Sequence, residues 1–303
     1  MKKKIFFNWD FPVSSIDFES WDDGLSRALR IMMLKYDVEV IPLATQDTAQ
    51  IYDTIDMVDP DIILCWGSLD RPSFGAIKQF NKPTALCFAG GAVSHGNKAN
   101  FDVIFVENQQ YVDDFKKQGI DAKRAFGVNE GLFLPTITMY PHFRAIYPAA
   151  FIRWKRHKLF AEAVGETGLA VGTILDDETS RIALNHCLEF GTMVLPQVPY
   201  SVLPFLISQA ETVVIAADAG SQRTTLEAMS MNKPVIVTSD NEKNCEYVRA
   251  SGVGMIVDPD PDAIRNAVRD HKIAKAENGR DFIMKNYTSE MYADALWKEL
   301  KKL

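Results

Sequence analysis

The stretch at residues 212–240, TVVIAADAGSQRTTLEAMSMNKPVIVTSD, decides the fold of this chain. Its β-branched run at 213–215 predicts a buried strand. After a turn containing Gly and Ser, residues 224–229 predict the start of a helix, because hydroxyls stand at the cap and good helix formers follow. Pro234 ends this helical stretch and opens a second apolar strand. The loop before the helix would present free backbone N–H groups at a helix N-terminus, a place that suits a phosphate.

Length and composition restrict the class of protein. The chain has 303 residues, of which 47% are hydrophobic and 24% charged, which is typical of a globular protein. Two domains are expected, because single cores rarely grow beyond about 250–300 residues. The net charge of -7 argues against a nucleic-acid groove, which needs a basic face, so no nucleic-acid partner is expected.

Cysteine usage and apolar runs indicate the compartment. The four cysteines lack the spacing of a metal knuckle and are expected to be buried free thiols in a reducing compartment. The apolar run after the first lysines is too short for a signal peptide, and no stretch approaches the ~18 apolar residues of a transmembrane helix. We therefore expect a cytoplasmic protein.

Apolar runs alternate with helical periodicity along the whole chain. In the first half, strands are predicted at 4–8, 38–41, 61–67, 82–88, 101–106 and 123–126. A second alternation has predicted strands at 149–152, 169–173, 192–195, 212–216, 234–238 and 254–257. Strands that are apolar throughout and alternate with helices favour parallel sheets covered on both faces.

The helix predicted at 19–36 carries Arg27, Arg30 and Lys35 beside an apolar side. Such a basic amphipathic helix fits either a peripheral contact with an anionic membrane or the solvated face of a domain helix. The sequence leaves both open.

The opening stretch resembles the donor-binding segment of retaining glycosyltransferases of the GT-B fold, family 4 (glycosyl transferases group 1). That family has a glycine-containing loop, then Leu-Glu-Ala-Met-Ala and a Pro-Val-Ile exit, and here residues 226–229 read LEAM and residues 233–236 read KPVI. The family pairs two glutamates separated by seven residues, but Ala219 stands eight positions before Glu227. Asp218 is one residue off and could substitute only if the loop shifts. The alternative is an ordinary helix start in an ordinary α/β protein.

The resemblance implies a GT-B fold of the α/β class: two doubly wound Rossmann-like domains facing across a cleft, with a C-terminal helix crossing back to the first domain. The expected bounds are 1–140 for an acceptor-side domain, 141–288 for a nucleotide-sugar-binding domain and 289–303 for the helix.

A basic segment, FIRWKRHK at 151–158, follows the first predicted strand of the second domain. The family has Gly-Arg there and a lysine five or six residues later, which Arg153 and Lys158 match, while Ile152 replaces the glycine. The resemblance implies that both cations act in catalysis by stabilising the diphosphate as its charge develops. A solvated basic turn is the alternative.

The resemblance also implies the other donor contacts. Glu227 would accept hydrogen bonds from the ribose hydroxyls, since both carboxylate oxygens are acceptors. Backbone N–H groups near Ser221, Thr224 and Thr225 would hold phosphate or sugar, and Gly220 would allow close approach.

One further catalytic residue is expected in the first domain. Many family members carry a histidine in the loop after the fourth strand, near the reacting sugar, and His95 stands in the corresponding loop at 89–96. A surface histidine is equally compatible with the sequence. Asn8, Trp9 and Asp10 occupy the loop after the first strand and are candidates for contact with the acceptor.

The acidic run DPDPD at 258–262 superficially offers the Asp-x-Asp of metal-dependent glycosyltransferases. Because a helical pattern follows it, we interpret it as an N-cap with a proline at the first helical position. No metal site and no cofactor is expected.

The function implied by the resemblance is transfer of a sugar, of hexosyltransferase type, from a nucleotide-diphosphate sugar with retention of configuration and without metal. The acceptor is unknown and could be a saccharide, a lipid or a protein-linked glycan. Because Ala219 replaces the first glutamate, a nucleotide-sugar-binding protein with weak or no activity is the alternative. A sugar-nucleotide epimerase is a third reading, for which no catalytic acid pair is evident.

Overall fold

The computed structural model describes residues 2–9, 21–69, 71, 73–90, 93, 101–136, 138–220, 223–270 and 276–303. The chain divides into two compact units, one formed by Met1–Gly127 with Thr288–Leu303 and the other by Val128–Tyr287. Residues 128–142, which precede the first strand of the second sheet, belong to the second unit.

The first unit contains a six-stranded parallel sheet in the order β2-β1-β3-β4-β5-β6. Its strands are β1 (Lys3–Trp9), β2 (Val38–Ala44), β3 (Ile62–Gly67), β4 (Thr84–Phe88), β5 (Val103–Val106) and β6 (Lys123–Arg124). Its helices are α1 (Gly24–Lys35), α2 (Thr48–Val58), α3 (Ser73–Ile77), α4 (Gln109–Lys117) and α12 (Ser289–Leu300). The strand order reverses between β1 and β3, which makes this pair the topological switch point of the first sheet.

Side-chain caps set where three of these helices begin. The carboxylates of Asp23 and Asp47 accept hydrogen bonds from first-turn N–H groups of α1 and α2, and the Asn108 side chain does the same for α4. Each cap satisfies donors that a helix N-terminus otherwise leaves without partners. The strands β4 and β5 are buried throughout and β3 is buried except at the half-buried Trp66, as their uninterrupted apolar sequences predict.

The C-terminal helix α12 packs on α1 within the first unit. Trp297 stacks on Tyr36 with ring centroids 5.4 Å apart, and the Lys35 ammonium lies 2.8 Å from carboxylate oxygens of both Glu290 and Asp294. The predicted return of the last helix to the first unit is confirmed. Lys35 is therefore occupied by carboxylates on α12, which reduces the positive charge that α1 could offer to a membrane surface.

The second unit contains another six-stranded parallel sheet, in the order β12-β11-β10-β7-β8-β9. Its strands are β7 (Phe143–Pro148), β8 (Gly168–Gly172), β9 (Met193–Pro196), β10 (Ala210–Ile215), β11 (Val235–Thr238) and β12 (Met255–Val257). Its helices are α5 (His157–Val164), α6 (Glu178–Glu189), α7 (Leu203–Ser208), α8 (Arg223–Ser230), α9 (Glu242–Ser251), α10 (Pro261–Arg269) and α11 (Gly279–Asn286). Numbered from β7, this is the common Rossmann order, with the switch point between β7 and β10.

The strand predicted at 149–152 is wrong. The first strand of the second sheet is β7, which ends immediately before the predicted strand. Pro148 is its last residue, a position where a missing N–H does little harm to the ladder, and Ile146 and Tyr147 before it are fully buried. Residues 149–152 form the loop that follows.

Three smaller predictions are settled by the described residues. The N-cap of α10 is Asp260, whose carboxylate accepts from the N–H groups of Asp262 and Ala263, with Pro261 at the first helical position, so the capping interpretation of 258–262 is confirmed. The four cysteines, Cys65, Cys87, Cys187 and Cys245, are buried and free. None of the helices in the described part of the chain has the length and apolarity needed to cross a membrane.

Truncation of Leu296 tests the packing of α12. Leu296 is fully buried, so Leu296→Ala is expected to lower the free energy of unfolding by about 2–5 kcal/mol, because it leaves a cavity. Urea unfolding followed by tryptophan fluorescence measures the change. The control is Leu34→Ala on α1, which removes a side chain that is 88% exposed and should change stability by no more than about 0.5 kcal/mol. Equal effects of the two substitutions would contradict the docking of α12.

Candidate functional site

The switch point of the second sheet brings the two predicted donor-binding segments together. One loop follows β7 and carries the basic segment, and the other follows β10 and leads into α8. The backbone N–H of Asp218 in the second loop donates to the carbonyl of Trp154 in the first, at 3.0 Å. Segments more than 60 residues apart in sequence are thereby joined at the carboxyl edge of the sheet, where ligands bind in open α/β folds.

Arg156 is the residue that ties these loops to the sheet. Its Nε donates to the carbonyl of Ala216 at 2.6 Å, and its Nη2 donates to the Thr238 hydroxyl at 2.8 Å. Its guanidinium also pairs with Asp240, with Nη1 2.6 Å from Oδ2. Burial raises the pKa of Asp240, but the hydrogen bonds from Arg156 and Thr238 outweigh burial and lower it overall. The sequence grouped Arg156 with its basic neighbours and missed this bracing role.

Arg153 and Lys158 are differently placed. Arg153 begins a single turn of 3-10 helix, and Lys158 is the second residue of α5. Both side chains are exposed, and among the described residues no carboxylate pairs with either of them. Arg153 and Lys158, which have no carboxylate partner among the described residues, are therefore available to an anion.

Both cations line one cavity of about 550 Å³ beside the start of α5. The other lining residues are Ile152, Arg156, His157, Leu159, Glu162, Thr179, Ile182, Ala183, His186 and Pro261. The lining combines apolar side chains with cationic ones and a single acid, Glu162, and the volume lies in the range of small-molecule sites. Such a cavity suits an anion with an apolar or aromatic body.

His157 is one of the lining residues of this cavity and is almost completely buried. Its imidazole stacks on Phe151 with ring centroids 4.1 Å apart and lies 5.2 Å from the ring of Tyr147. Burial lowers the pKa of His157 to about 4; the backbone of Ala149 acts in the opposite direction, and Lys155 adds to the lowering. At neutral pH the ring is uncharged, so the positive charge of the cavity comes from Arg153, Arg156 and Lys158.

The loop before α8 is held by Asn241. Its side-chain amide donates to the carbonyls of Ala217 and Gly220, at 2.9 and 3.0 Å. Gly220 has a φ of +74°, a backbone conformation that favours glycine. Asp218 in the same loop is exposed, and Ser221 lies outside the described residues.

The helix α8 carries the remaining predicted donor contacts. The hydroxyl of Thr224 lies 3.5 Å from the carbonyl of Pro148 at the end of β7, and the hydroxyl of Thr225 donates to the Asn244 side chain at 3.4 Å. Glu227 is buried and accepts a hydrogen bond from the Tyr200 hydroxyl. The structure therefore brings Arg153 and Lys158 to one cavity and joins their turn to the Asp218 loop, but Glu227 is not among the residues that line that cavity.

The switch point of the first unit carries an aromatic cluster. Trp9 ends β1 and pairs in register with Trp66 of β3, and their rings lie 6.1 Å apart. Trp21 packs edge-on against Trp9 at 5.3 Å. The sequence placed Asn8 and Trp9 in the loop after the first strand, but both lie within β1 and are buried. Asp10 and His95 lie outside the described residues.

The chain folds as two Rossmann-like α/β units, each with its own six-stranded parallel sheet. Comparison with known proteins identifies others with the same fold. Residues 143–290 match the family described as Glycosyl transferases group 1, a match that begins at the first residue of β7 and ends at the start of α12. This chain thus carries a domain of the GT-B type.

Solved structures of other proteins share this fold over nearly the whole length of the chain. A sucrose-phosphate synthase from Thermosynechococcus elongatus is 14% identical with a TM-score of 0.74, covering 99% of both chains. HepE from Anabaena, in complex with UDP and glucose, is 14% identical with a TM-score of 0.73, covering 99% of this chain and 100% of the other. A glycosyltransferase from Rickettsia africae ESF-5 is 16% identical with a TM-score of 0.70, covering 99% and 98%. No curated protein matches the chain significantly. At these identities the likeness establishes the fold, and the predicted GT-B fold class is confirmed.

The buried imidazole predicts a pH dependence of stability. Between the folded pKa of His157, about 4, and the ordinary value of about 6.5, the unfolded chain binds a proton that the folded chain does not. The contribution of the neutral ring is present above pH 6.5 and is lost as the pH falls toward 4, by up to about 3 kcal/mol.

Urea unfolding between pH 4 and 7 measures this loss. The variant His157→Phe keeps a ring against Phe151 and is expected to lose less stability than the wild type over the same interval. Identical pH slopes for the two proteins would contradict a buried neutral His157.

Proposed function

We propose that the protein is a glycosyltransferase that takes a sugar from a nucleotide-diphosphate donor bound to the second unit. The observation that carries this proposal is the hydrogen bond from Asp218 to Trp154, which joins the basic segment 153–158 to the loop that leads into α8. The match of residues 143–290 to Glycosyl transferases group 1 supports it independently.

In this proposal the cations act on the leaving group. Cleavage of a sugar–diphosphate bond transfers negative charge to the diphosphate, and Arg153 and Lys158 are placed to stabilise that charge as it develops. Neither cation is neutralised by a described carboxylate, so each retains its full charge for an anion. The N-terminus of α8 adds the positive end of a helix dipole.

Glu227 is proposed to accept hydrogen bonds from the ribose. It lies in the second turn of α8, and the start of that helix is tied to the end of β7 through Thr224. Because Glu227 is buried, we expect only a ligand bound at the N-terminus of α8 to reach it. A nucleoside whose diphosphate lies at that N-terminus would be such a ligand.

We further propose that the reaction retains the configuration of the sugar and needs no metal. Retention is supported by the resemblance of residues 212–240 to the retaining family. Metal independence is supported by Arg153 and Lys158, which would supply the charge that a metal ion provides in other glycosyltransferases. HepE was solved with UDP and glucose, so UDP-sugars are the first donors to test here. A hexose is proposed as the sugar, and the acceptor remains to be found by screening saccharides, lipids and protein-linked glycans.

A nucleotide-sugar-binding protein without turnover is the second candidate. Ala219 occupies the position of the family's first glutamate, and the neighbouring Asp218 is tethered through its backbone N–H to Trp154. This tether opposes the loop shift that Asp218 would need to replace the glutamate. Turnover distinguishes the two candidates, because both require donor binding and only the first releases nucleoside diphosphate.

Thermal unfolding with a panel of nucleotide sugars tests the donor site. A ligand at a hundred times its dissociation constant stabilises a protein by about 2.7 kcal/mol, which raises the unfolding temperature measurably. Arg153→Ala and Lys158→Ala are each expected to abolish this shift for the donor that stabilises the wild type, because each removes a charge that faces the diphosphate.

The control for this test is Arg269→Ala in the last turn of α10. It removes an exposed cation from the same unit and should leave the shift unchanged. A full shift in both the Arg153 and Lys158 variants would contradict the proposed diphosphate site. Transfer assays with and without EDTA, followed by NMR of the anomeric proton, then test metal independence and retention.

A further inference from the structure

The cavity beside the start of α5 is built from elements that differ from those of the proposed donor site. Its walls come from the turn after β7, from α5, from α6 and from Pro261 at the start of α10. The proposed donor contacts come from the loops after β7 and β10 and from α8. Of the donor contacts that the structure describes, only Arg153 and Lys158 line the cavity. Most of the cavity therefore has no role in the proposed transfer.

His157 brings an unmet hydrogen-bonding capacity to this cavity. Its side chain is 1% exposed, and neither ring nitrogen has a hydrogen bond of good geometry within the part of the chain that the structure describes. The backbone of Ala149 lies close enough to affect the pKa of the ring, which stays neutral near pH 7. A neutral imidazole offers one N–H donor and one acceptor. Because buried polar groups without partners are costly and rare, a ligand that hydrogen-bonds this ring would be favoured.

The charge of the cavity favours an anion. Arg156 is paired with Asp240, which leaves Arg153 and Lys158 in the lining against one acid, Glu162. A phosphomonoester carries a charge of about −1.5 to −2 near neutral pH and three strong acceptor oxygens, which a guanidinium and an ammonium can share. The carboxylate of Glu162 suits the hydroxyls of such a ligand, since both its oxygens are acceptors.

The remaining lining residues suit the body of a monosaccharide. Ile152, Leu159 and Ile182 are apolar, whereas Thr179 and His186 add polar groups. The side chain of Ile182 is 48% exposed and offers apolar surface that a ligand would cover. A sugar ring presents C–H groups on its faces and hydroxyls around its edge, so it needs both kinds of surface. Few polar groups on an otherwise apolar lining are typical of small-molecule sites.

We propose that this cavity is a second ligand site, which binds a small phosphomonoester of the sugar-phosphate class and thereby weakens donor binding. Arg153 and Lys158 hold the phosphate, and His157 and Glu162 hold hydroxyls of the sugar. Because the donor diphosphate draws on the same two cations, each ligand lowers the affinity for the other by the same factor. The effect on the donor rests on the proposed function, whereas the site itself does not.

Calorimetric titration with glucose 6-phosphate, inorganic phosphate and glucose tests the site. The wild type is expected to bind glucose 6-phosphate about tenfold more tightly than inorganic phosphate, and glucose not measurably. Ile182→Trp fills the cavity and should weaken glucose 6-phosphate binding by about tenfold or more, while the affinity for UDP changes less than about twofold. His157→Phe keeps a ring but removes both nitrogens, so glucose 6-phosphate binding should weaken about fivefold and UDP binding should stay unchanged.

Two further variants make the result interpretable. Leu188→Trp is the matched control for Ile182→Trp, because Leu188 is 60% exposed on the same helix and is not among the lining residues. It should alter neither affinity. Should Ile182→Trp fail to fold, Thr179→Trp fills the cavity from another exposed position of α6 and is expected to give the same pattern.

Titration of UDP at increasing concentrations of glucose 6-phosphate tests the coupling, and ADP or GDP replaces UDP where the wild type prefers another base. The dissociation constant for UDP is expected to rise about fivefold to tenfold and then to level off, as it does when two ligands occupy separate coupled sites. A rise without limit, or an equal loss of both ligands in Ile182→Trp, would show that the cavity is part of the donor site and would overturn the inference.

The remaining outcomes separate the second site from the proposed function. A wild type that does not bind glucose 6-phosphate, or binding that Ile182→Trp leaves unchanged, overturns the second site, and UDP binding in these cases leaves the proposed function standing. A dissociation constant for UDP that ignores glucose 6-phosphate overturns the coupling. A wild type that binds glucose 6-phosphate in the expected pattern but none of the nucleoside diphosphates supports the site and overturns the proposed function.

Discussion

The parallel pairing of β7 with β10 is the constraint on which the second unit depends. These strands are separated by more than 60 residues, yet Ala145 pairs with Thr212 and Ile146 with Val213 in the centre of the sheet. Because the strand order reverses between them, the segments that follow the two strands leave in different directions and open a crevice at the carboxyl edge. The hydrogen bond from Asp218 to Trp154 and the fork of Arg156 then hold the two loops in one arrangement.

Four basic residues between positions 153 and 158 have three different physical roles. The guanidinium of Arg156 donates hydrogen bonds to a carboxylate, a hydroxyl and a carbonyl. Its planar fork of N–H groups is suited to several acceptors at once. Arg153 and Lys158 remain exposed and have no described carboxylate beside them. Burial lowers the pKa of His157, since desolvation disfavours the protonated ring, and the ring is therefore neutral at neutral pH. The segment therefore contains an arginine that holds the loops together, a neutral histidine ring and two cations that are available to a ligand.

The apolar runs were reliable guides to the sheets, because a strand buried on both faces leaves an uninterrupted signature in sequence. The capping role of Asp260 was likewise predictable, since the proline after it and the helical pattern beyond it are local features. The first strand of the second sheet was misplaced because Pro148 is a general indicator of a loop, and only its position at the end of the ladder makes it compatible with a strand. Tyr200 gave no local pattern, since its partner lies 27 residues away.

The sequence by itself determined two alternating α/β units, the helix start that carries Glu227 and the presence of a cationic segment after the first strand of the second sheet. These are properties of periodicity, capping and local composition, which act over a few residues. The tertiary structure alone decided which cation is a brace and which are unpaired, that the ring of His157 is neutral, and that Tyr200 supplies the donor to Glu227. Charge state and hydrogen-bond partners depend on burial and on groups brought from distant parts of the chain. No short stretch of residues determines them.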